Sequence, residues 1–254
     1  FGTVDSWLIW KLSGGKTHAI EISNASRTLV FDIQKCEWDS EILARFGIPA
    51  ESLPEIVPSS GVIAEVNESL FGGSAPIAGA AGDQQAALFG QACFSPGMAK
   101  NTYGTGCFLL LNTGDKRISS ENRLLSTIAY RLDGKTTYGL EGSIFVAGSA
   151  VQWLRDELNF FESARGSEEI MSRRNVKSKV LVVPAVTGLG APHWDPDSRG
   201  SISGLTRDTS IADSTAATLE SVAFQTKDLI GAMQNDGANF SELSVDGGKI
   251  GRAH

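Results

Sequence analysis

Two short segments hold most of the residues whose types and spacing could do chemistry. In the first, Gly79-Ala80-Ala81-Gly82-Asp83-Gln84-Gln85-Ala86-Ala87-Leu88-Phe89, one carboxylate and two amides open a small-residue helix. A carboxylate there lies in the positive field of the helix N-terminus, which favours its ionised form. Ionised, Asp83 can accept the proton of an alcohol during phosphoryl transfer. Aspartate is also a preferred N-cap, so its position alone leaves base and cap both open. Gln84 and Gln85 offer amides to polyol hydroxyls, and they equally suit the surface of a first helical turn.

The second segment, Asn101-Thr102-Tyr103-Gly104-Thr105-Gly106-Cys107-Phe108, is a polar, glycine-kinked turn between two strand-like runs. Its glycines let backbone N–H groups approach an anion, and the Thr105 hydroxyl adds a donor; an ordinary hairpin turn explains the same residues. Gly148 and Gln152 lie in a third stretch, where small residues opening a helix either admit a nucleotide or serve tight packing. Asp246-Gly247-Gly248 is a fourth, a glycine pair that fits under a ribose or phosphate, or simply turns the chain. Gly15-Lys16-Thr17 is not a phosphate loop, because Trp10 stands where that motif needs its first glycine.

The elements that must position these groups follow from periodicity and breakers. Helices are expected over Val4–Leu12, 41–46, 84–91, 147–158 (with Val151, Leu154 and Leu158 on one stripe) and 210–233, whose apolar positions include Phe224. Strands are expected over 18–22, 61–65, 98–102, 107–111, 136–140, 180–183 and 243–246, and 76–80 reads as a buried strand. Residues 54–60 read as a connector. Phe94-Ser95-Pro96-Gly97 is a strong turn and a domain boundary. Strands mixed with helices throughout define an α/β chain.

The 254 residues allow one large domain or two smaller ones, and 41% of them are hydrophobic. A net charge of −7 argues against nucleic acid as a partner. The basic run Arg173-Arg174-Asn175-Val176-Lys177-Ser178-Lys179 follows Glu168-Glu169 and reads as a solvated helix end. Three scattered cysteines form no CxxC and fit a reducing compartment. No apolar run is long enough for a membrane span.

Taken in order, these segments resemble the FGGY carbohydrate kinases. The residues that carry the resemblance are Gly82-Asp83-Gln84-Gln85, Asn101 to Phe108, Gln152-Trp153-Leu154-Arg155-Asp156, Thr187-Gly188-Leu189-Gly190-Ala191-Pro192-His193-Trp194-Asp195-Pro196 and Val245-Asp246-Gly247-Gly248. Gly2 to Trp10 and Asn24-Ala25-Ser26-Arg27-Thr28 add to it. The resemblance extends from residue 1 to residue 248. It implies two actin-like (ribonuclease H-like) domains around a cleft, the N-terminal one incomplete: 1–94 on the substrate side and 97–248 on the nucleotide side. It implies ATP-dependent phosphorylation of glycerol, with another polyol or sugar, or a non-catalytic nucleotide-binding protein, as alternatives. Asp83 is then the base and a glycerol ligand, Gln84 bonds a glycerol hydroxyl, and Phe108 packs against its carbons. Gly104 and Thr105 hold the ATP phosphates, while Gly148, Gln152 and Gly248 contact the rest of the nucleotide. Mg²⁺ is implied as a cofactor, with Asp83 reaching it through a bound water. A cytoplasmic homo-oligomer is also implied. The chain is expected to be an internal fragment. Residues 249–254 depart from the family, with Arg252 where it has an asparagine, and read as a non-native tail of translated sequencing adapter.

Overall fold

The computed structural model describes residues 1–175 and 177–247. In chain order, the elements of the first stretch are α1 (Val4–Leu12), β1 (Ala19–Glu21), α2 (Ile22–Ala25), β2 (Phe31–Asp32), β3 (Glu37–Trp38), α3 (Ser40–Phe46), β4 (Glu55–Val57), β5 (Ser60–Glu65), α4 (Glu68–Phe71), β6 (Pro76–Gly79) and α5 (Asp83–Gly90). They are followed by β7 (Met98–Tyr103), β8 (Cys107–Gly114), β9 (Leu125–Leu132), β10 (Lys135–Ile144), α6 (Gly148–Asp156), α7 (Ala164–Met171), β11 (Leu181–Val183), β12 (Ser201–Ser203), α8 (Ile211–Asn235) and β13 (Glu242–Asp246). The mixed α/β character is as the sequence implies.

The chain divides into two compact units. The first comprises Phe1–Pro96, Asn112–Ile118 and Ser126–Leu140; the second comprises Gly97–Leu111, Ser119–Leu125 and the described residues from Glu141 onward. The largest sheet has the strand order β13-β7-β8-β10-β9. Within it, β7 runs antiparallel to β8 and parallel to β13.

In the first unit, Ile20, Ile22, Ala25, Phe31 and Ile128 form a buried cluster against Trp38, Ile56 and Tyr138. Parallel pairing of β1 with β4 adds to this core. The 54–60 stretch therefore contains a strand and is not a bare connector. Strand β6 forms where expected but is not buried: Ile77 is half-buried and the other residues are exposed. Among the described residues its pairing is with β5 alone, which leaves its other edge uncovered.

In the second unit, α8 packs against β11, α7 and α6. Val151, Leu154 and Phe161 cluster with Leu219, and Val180 and Val182 cluster with Ala217. Ser210 caps α8 in a reciprocal box with Asp213. Two expected core positions lie outside: Phe224 is 54% and Leu158 37% exposed. The cause for Leu158 is that α6 stops at Asp156, two residues short of it. Arg173 and Arg174 are exposed and pair with Glu169 and Glu220, in keeping with a solvated helix end.

Candidate active site

In the first unit, Asp83 is the first residue of α5, not its cap. The N-cap is Gly82, whose extended backbone (φ −62, ψ 151) carries no capping side chain. A cap folds its side chain over the first turn from outside the helix. Asp83 is inside, and its Oδ1 accepts the adjacent Gln84 N–H at 2.8 Å. Its Oδ2 accepts Nε2 of the Gln84 side chain at 3.1 Å. Asp83 is exposed and Gln84 half-buried. The carboxylate therefore stands in the first helical turn. Leu88 is fully buried and anchors the helix, a contribution of about 2 kcal/mol.

Gly82 lies close over the side chain of Gln85. A Cβ there would lie 2.5 Å from Oε1 of Gln85, which tucks under the turn and is 3% exposed. Gln85 is thus a buried support, not a surface amide.

Sequence reasoning missed the group behind this turn. Glu21 is fully buried at the end of β1. Its Oε2 accepts from Ser23 Oγ at 2.5 Å and from Asn24 N and Nδ2 at 3.2 and 3.3 Å. Its Oε1 accepts from Ser59 Oγ at 2.5 Å. Ser23 Oγ in turn accepts the Gly82 N–H at 3.1 Å. The available signal was a carboxyl group set inside the apolar run Ala19-Ile20-Glu21-Ile22. A cavity of about 660 Å³ nearby is lined by Ala78, Gln85, Phe89 and Tyr130 among others, and Asp83 is not on its wall.

In the second unit, the structure brings the Gly104–Thr105 turn and the start of α6 together. The Gly104 carbonyl accepts the Gly148 N–H at 3.0 Å, and the Thr105 carbonyl accepts the N–H groups of Ala147 and Ser149 at 2.9 and 3.1 Å. Ala147, the N-cap residue, offers no side-chain cap, so turn carbonyls satisfy these orphan donors instead. The Gly148 N–H is therefore already engaged. Thr105 stands exposed at the tip, and Gln152 is half-buried one helical turn beyond Gly148.

Gly106 lies so close to the strand end that a Cβ would sit 2.2 Å from the Ile144 carbonyl oxygen. Gly247, with φ +111, places its Cβ position 2.0 Å from the Tyr103 carbonyl oxygen, so the end of β13 lies against the same turn. Gly248 and Arg252 fall outside the described residues.

Phe108 faces Thr102 across the β7–β8 pair and is 38% exposed. Beside it Lys100 is fully buried and donates to the Phe108 carbonyl and to Thr102 Oγ1, both at 3.0 Å. Burial pushes the Cys107 thiol up to about 12. Among the described residues no group of three or more His, Cys, Asp or Glu side chains could hold a metal ion.

The N-terminal domain model of the FGGY family of carbohydrate kinases matches residues 1–90, and the C-terminal domain model of that family matches residues 99–253. The chain is 58% identical over 252 residues to a glycerol kinase of Bacillus subtilis (strain 168), covering 98% of this chain and 51% of that protein. It is 57% identical over 248 residues to a glycerol kinase of Alteromonas mediterranea, covering 98% of this chain and 50% of that protein. The chain thus spans about half the length of the curated relatives it matches. Among solved structures, a Plasmodium falciparum glycerol kinase with ADP superposes with a TM-score of 0.90 at 38% identity, over 97% of this chain and 50% of that one. A xylulose kinase from Lactobacillus acidophilus, 22% identical, superposes at 0.84 over 97% of this chain and 50% of that one, a likeness of fold alone.

Proposed function

The chain belongs to the FGGY family of carbohydrate kinases, whose domains have the actin-like ATPase fold, and from that premise we propose that it carries half of an ATP-dependent glycerol kinase. The observation that carries this reading is Asp83: an exposed carboxylate in the first turn of α5, with the Gln84 amide bonded to it. The relatives at 56–58% identity are named glycerol kinases. Xylulose kinases share the fold at far lower identity, so the substrate assignment rests on sequence and not on shape.

In this reading a terminal hydroxyl of glycerol attacks the γ-phosphorus of ATP. The bond from that phosphorus to the β–γ bridging oxygen breaks, ADP leaves, and the hydroxyl proton passes to the Asp83 carboxylate. The product is sn-glycerol 3-phosphate. Gln84 bonds a second hydroxyl, and Phe108 lies against the carbon chain. The Gly104–Thr105 turn receives the phosphates, with Thr105 as donor, and Gly148, Gln152 and Gly248 line the rest of the nucleotide.

Mg²⁺ offsets the phosphate charge when bound. Asp83 would reach that ion through a bound water. The two family matches support reading 1–94 and 97–248 as separate domains. Cytoplasmic location and homo-oligomerisation complete the proposal; no helix of the described residues is long and apolar enough to cross a membrane.

The test is an ATP-dependent phosphorylation assay on the full-length kinase carrying this sequence, with glycerol set against a panel of polyols and sugars. Preference for glycerol is the expected result. Preference for xylulose or another sugar keeps the family chemistry and overturns the substrate, and absence of transfer to any of them overturns the kinase reading.

A further inference from the structure

We infer that Glu21 and Ser23 are positioning residues for the Asp83 base, acting through the backbone of Gly82; the inference rests on the reading of Asp83 given above. One buried carboxyl group ties its own segment, residues 21–24, to Ser59 directly and to Gly82 through Ser23. Glu21 is fully buried, and each of its four side-chain hydrogen bonds comes from an uncharged donor. A carboxyl group taken out of water is costly, and neutral donors offset that cost only when several converge on it. They converge here from α2, through Ser23 and Asn24, and from Ser59 at the foot of β5.

The network reaches the base in one further step. Ser23 spends its proton on Glu21, which leaves its oxygen as an oriented acceptor for the Gly82 N–H at 3.1 Å. Gly82 is the N-cap of α5, and Asp83 follows it directly. From the other side, Ser59 accepts the Ala80 N–H through its carbonyl at 3.2 Å while its hydroxyl bonds Glu21. Two of the backbone donors approaching the helix, those of Ala80 and Gly82, are thus held by residues bonded to one side chain. Gly82 contributes no side chain to fix its own backbone, so the entry angle of α5, and with it the aim of the Asp83 carboxylate, depends on this outside grip. Misplacing a reacting group by about 1 Å can cost on the order of a hundredfold in rate.

The experiment compares Ser23→Ala, Ser23→Thr, Glu21→Gln, Asp83→Asn and the Ser23→Ala/Asp83→Asn double variant in the full-length kinase. Folding of each is checked by circular dichroism at the assay temperature. Ser23→Ala is expected to lower kcat about tenfold while KM for ATP stays within about twofold, and Ser23→Thr, which keeps the hydroxyl, restores most of the rate. On the Asp83→Asn background Ser23→Ala is expected to cost nothing further, because its effect runs through Asp83. Glu21→Gln, which keeps the side-chain shape, gives the same kcat-selective loss and serves where Ser23→Ala does not fold. Wild-type kcat in the folded Ser23→Ala and Glu21→Gln enzymes, or losses that multiply in the double variant, overturn this inference alone. An Asp83→Asn enzyme as active as wild type overturns the base assignment and this inference with it.

Discussion

The carbonyl oxygen of Thr105 accepts two hydrogen bonds from Ser149, one from its backbone N–H at 3.1 Å and one from its hydroxyl at 2.9 Å. The tip of the β7–β8 turn is therefore also the cap of α6, and turn and helix are fixed to each other. Ser149→Ala removes the hydroxyl bond and leaves the backbone bond. It is expected to cost about 1 kcal/mol of stability and to raise KM for ATP a few-fold with little change in KM for glycerol. Urea titration and steady-state kinetics check the two halves of this expectation.

Gly106 tests the same turn by space. A methyl group there meets the Ile144 and Phe145 carbonyl oxygens, at 2.2 and 3.0 Å. These are backbone atoms that cannot swing aside. Gly106→Ala is expected to destabilise the protein by about 2 kcal/mol or more and to abolish nucleotide binding, read by thermal unfolding with and without ADP. An unchanged melting temperature contradicts the packing.

Much of this was legible in the sequence because it is written in local residue types. Val4–Leu12 was readable as a helix, and so was α8, which starts behind its Ser210 cap. The residues around Gly104 were readable as a glycine turn between two strands, and those around Gly148 as the opening of a helix. Glu21 was not, because its role depends on Ser59 and Gly82, which lie 38 and 61 positions away and come close only in the fold. Gln84 and Gln85 looked alike on paper; only helix rotation makes one half-buried beside Asp83 and the other buried beneath Gly82. Strand β6 was misjudged for a related reason, since an apolar strand is buried only where something covers it.

Cys107 gives a reactivity prediction. Its folded thiol is held up to about 12 by burial. At pH 8 about one molecule in ten thousand then carries the thiolate, which is the reactive form. Aromatic disulfide reagents are expected to label half-buried Cys36 in the native protein and Cys107 only after denaturation. The sign for stability follows. Above the ordinary thiol value of 9.0 the unfolded chain loses this proton while the folded chain keeps it, so stability falls as pH rises from about 9 toward 12. Cys107→Ala is expected to flatten that alkaline decline.

The cap of α8 gives the opposite dependence. Hydrogen bonds from the Ser210 hydroxyl, the Ser210 N–H and the Asn175 N–H hold the Asp213 carboxyl below its ordinary 3.8. A depressed carboxyl value stabilises the fold above the unfolded value, and that stability is lost as pH falls below it. Ser210→Ala is expected to cost about 1 kcal/mol near neutrality. Asp213→Asn is expected to weaken the acid dependence of unfolding below pH 3.8, followed by denaturant titration across pH.

Asp83 as the acceptor of the glycerol proton is tested most directly by kcat of Asp83→Asn in the full-length kinase alongside its affinity for ATP. Asparagine keeps the shape and the Gln84 N–H contact at Oδ1 but cannot accept the proton. The expected result is a fall in kcat of at least about a hundredfold with ATP affinity within a few-fold of wild type. An Asp83→Asn enzyme that phosphorylates glycerol at the wild-type rate contradicts it.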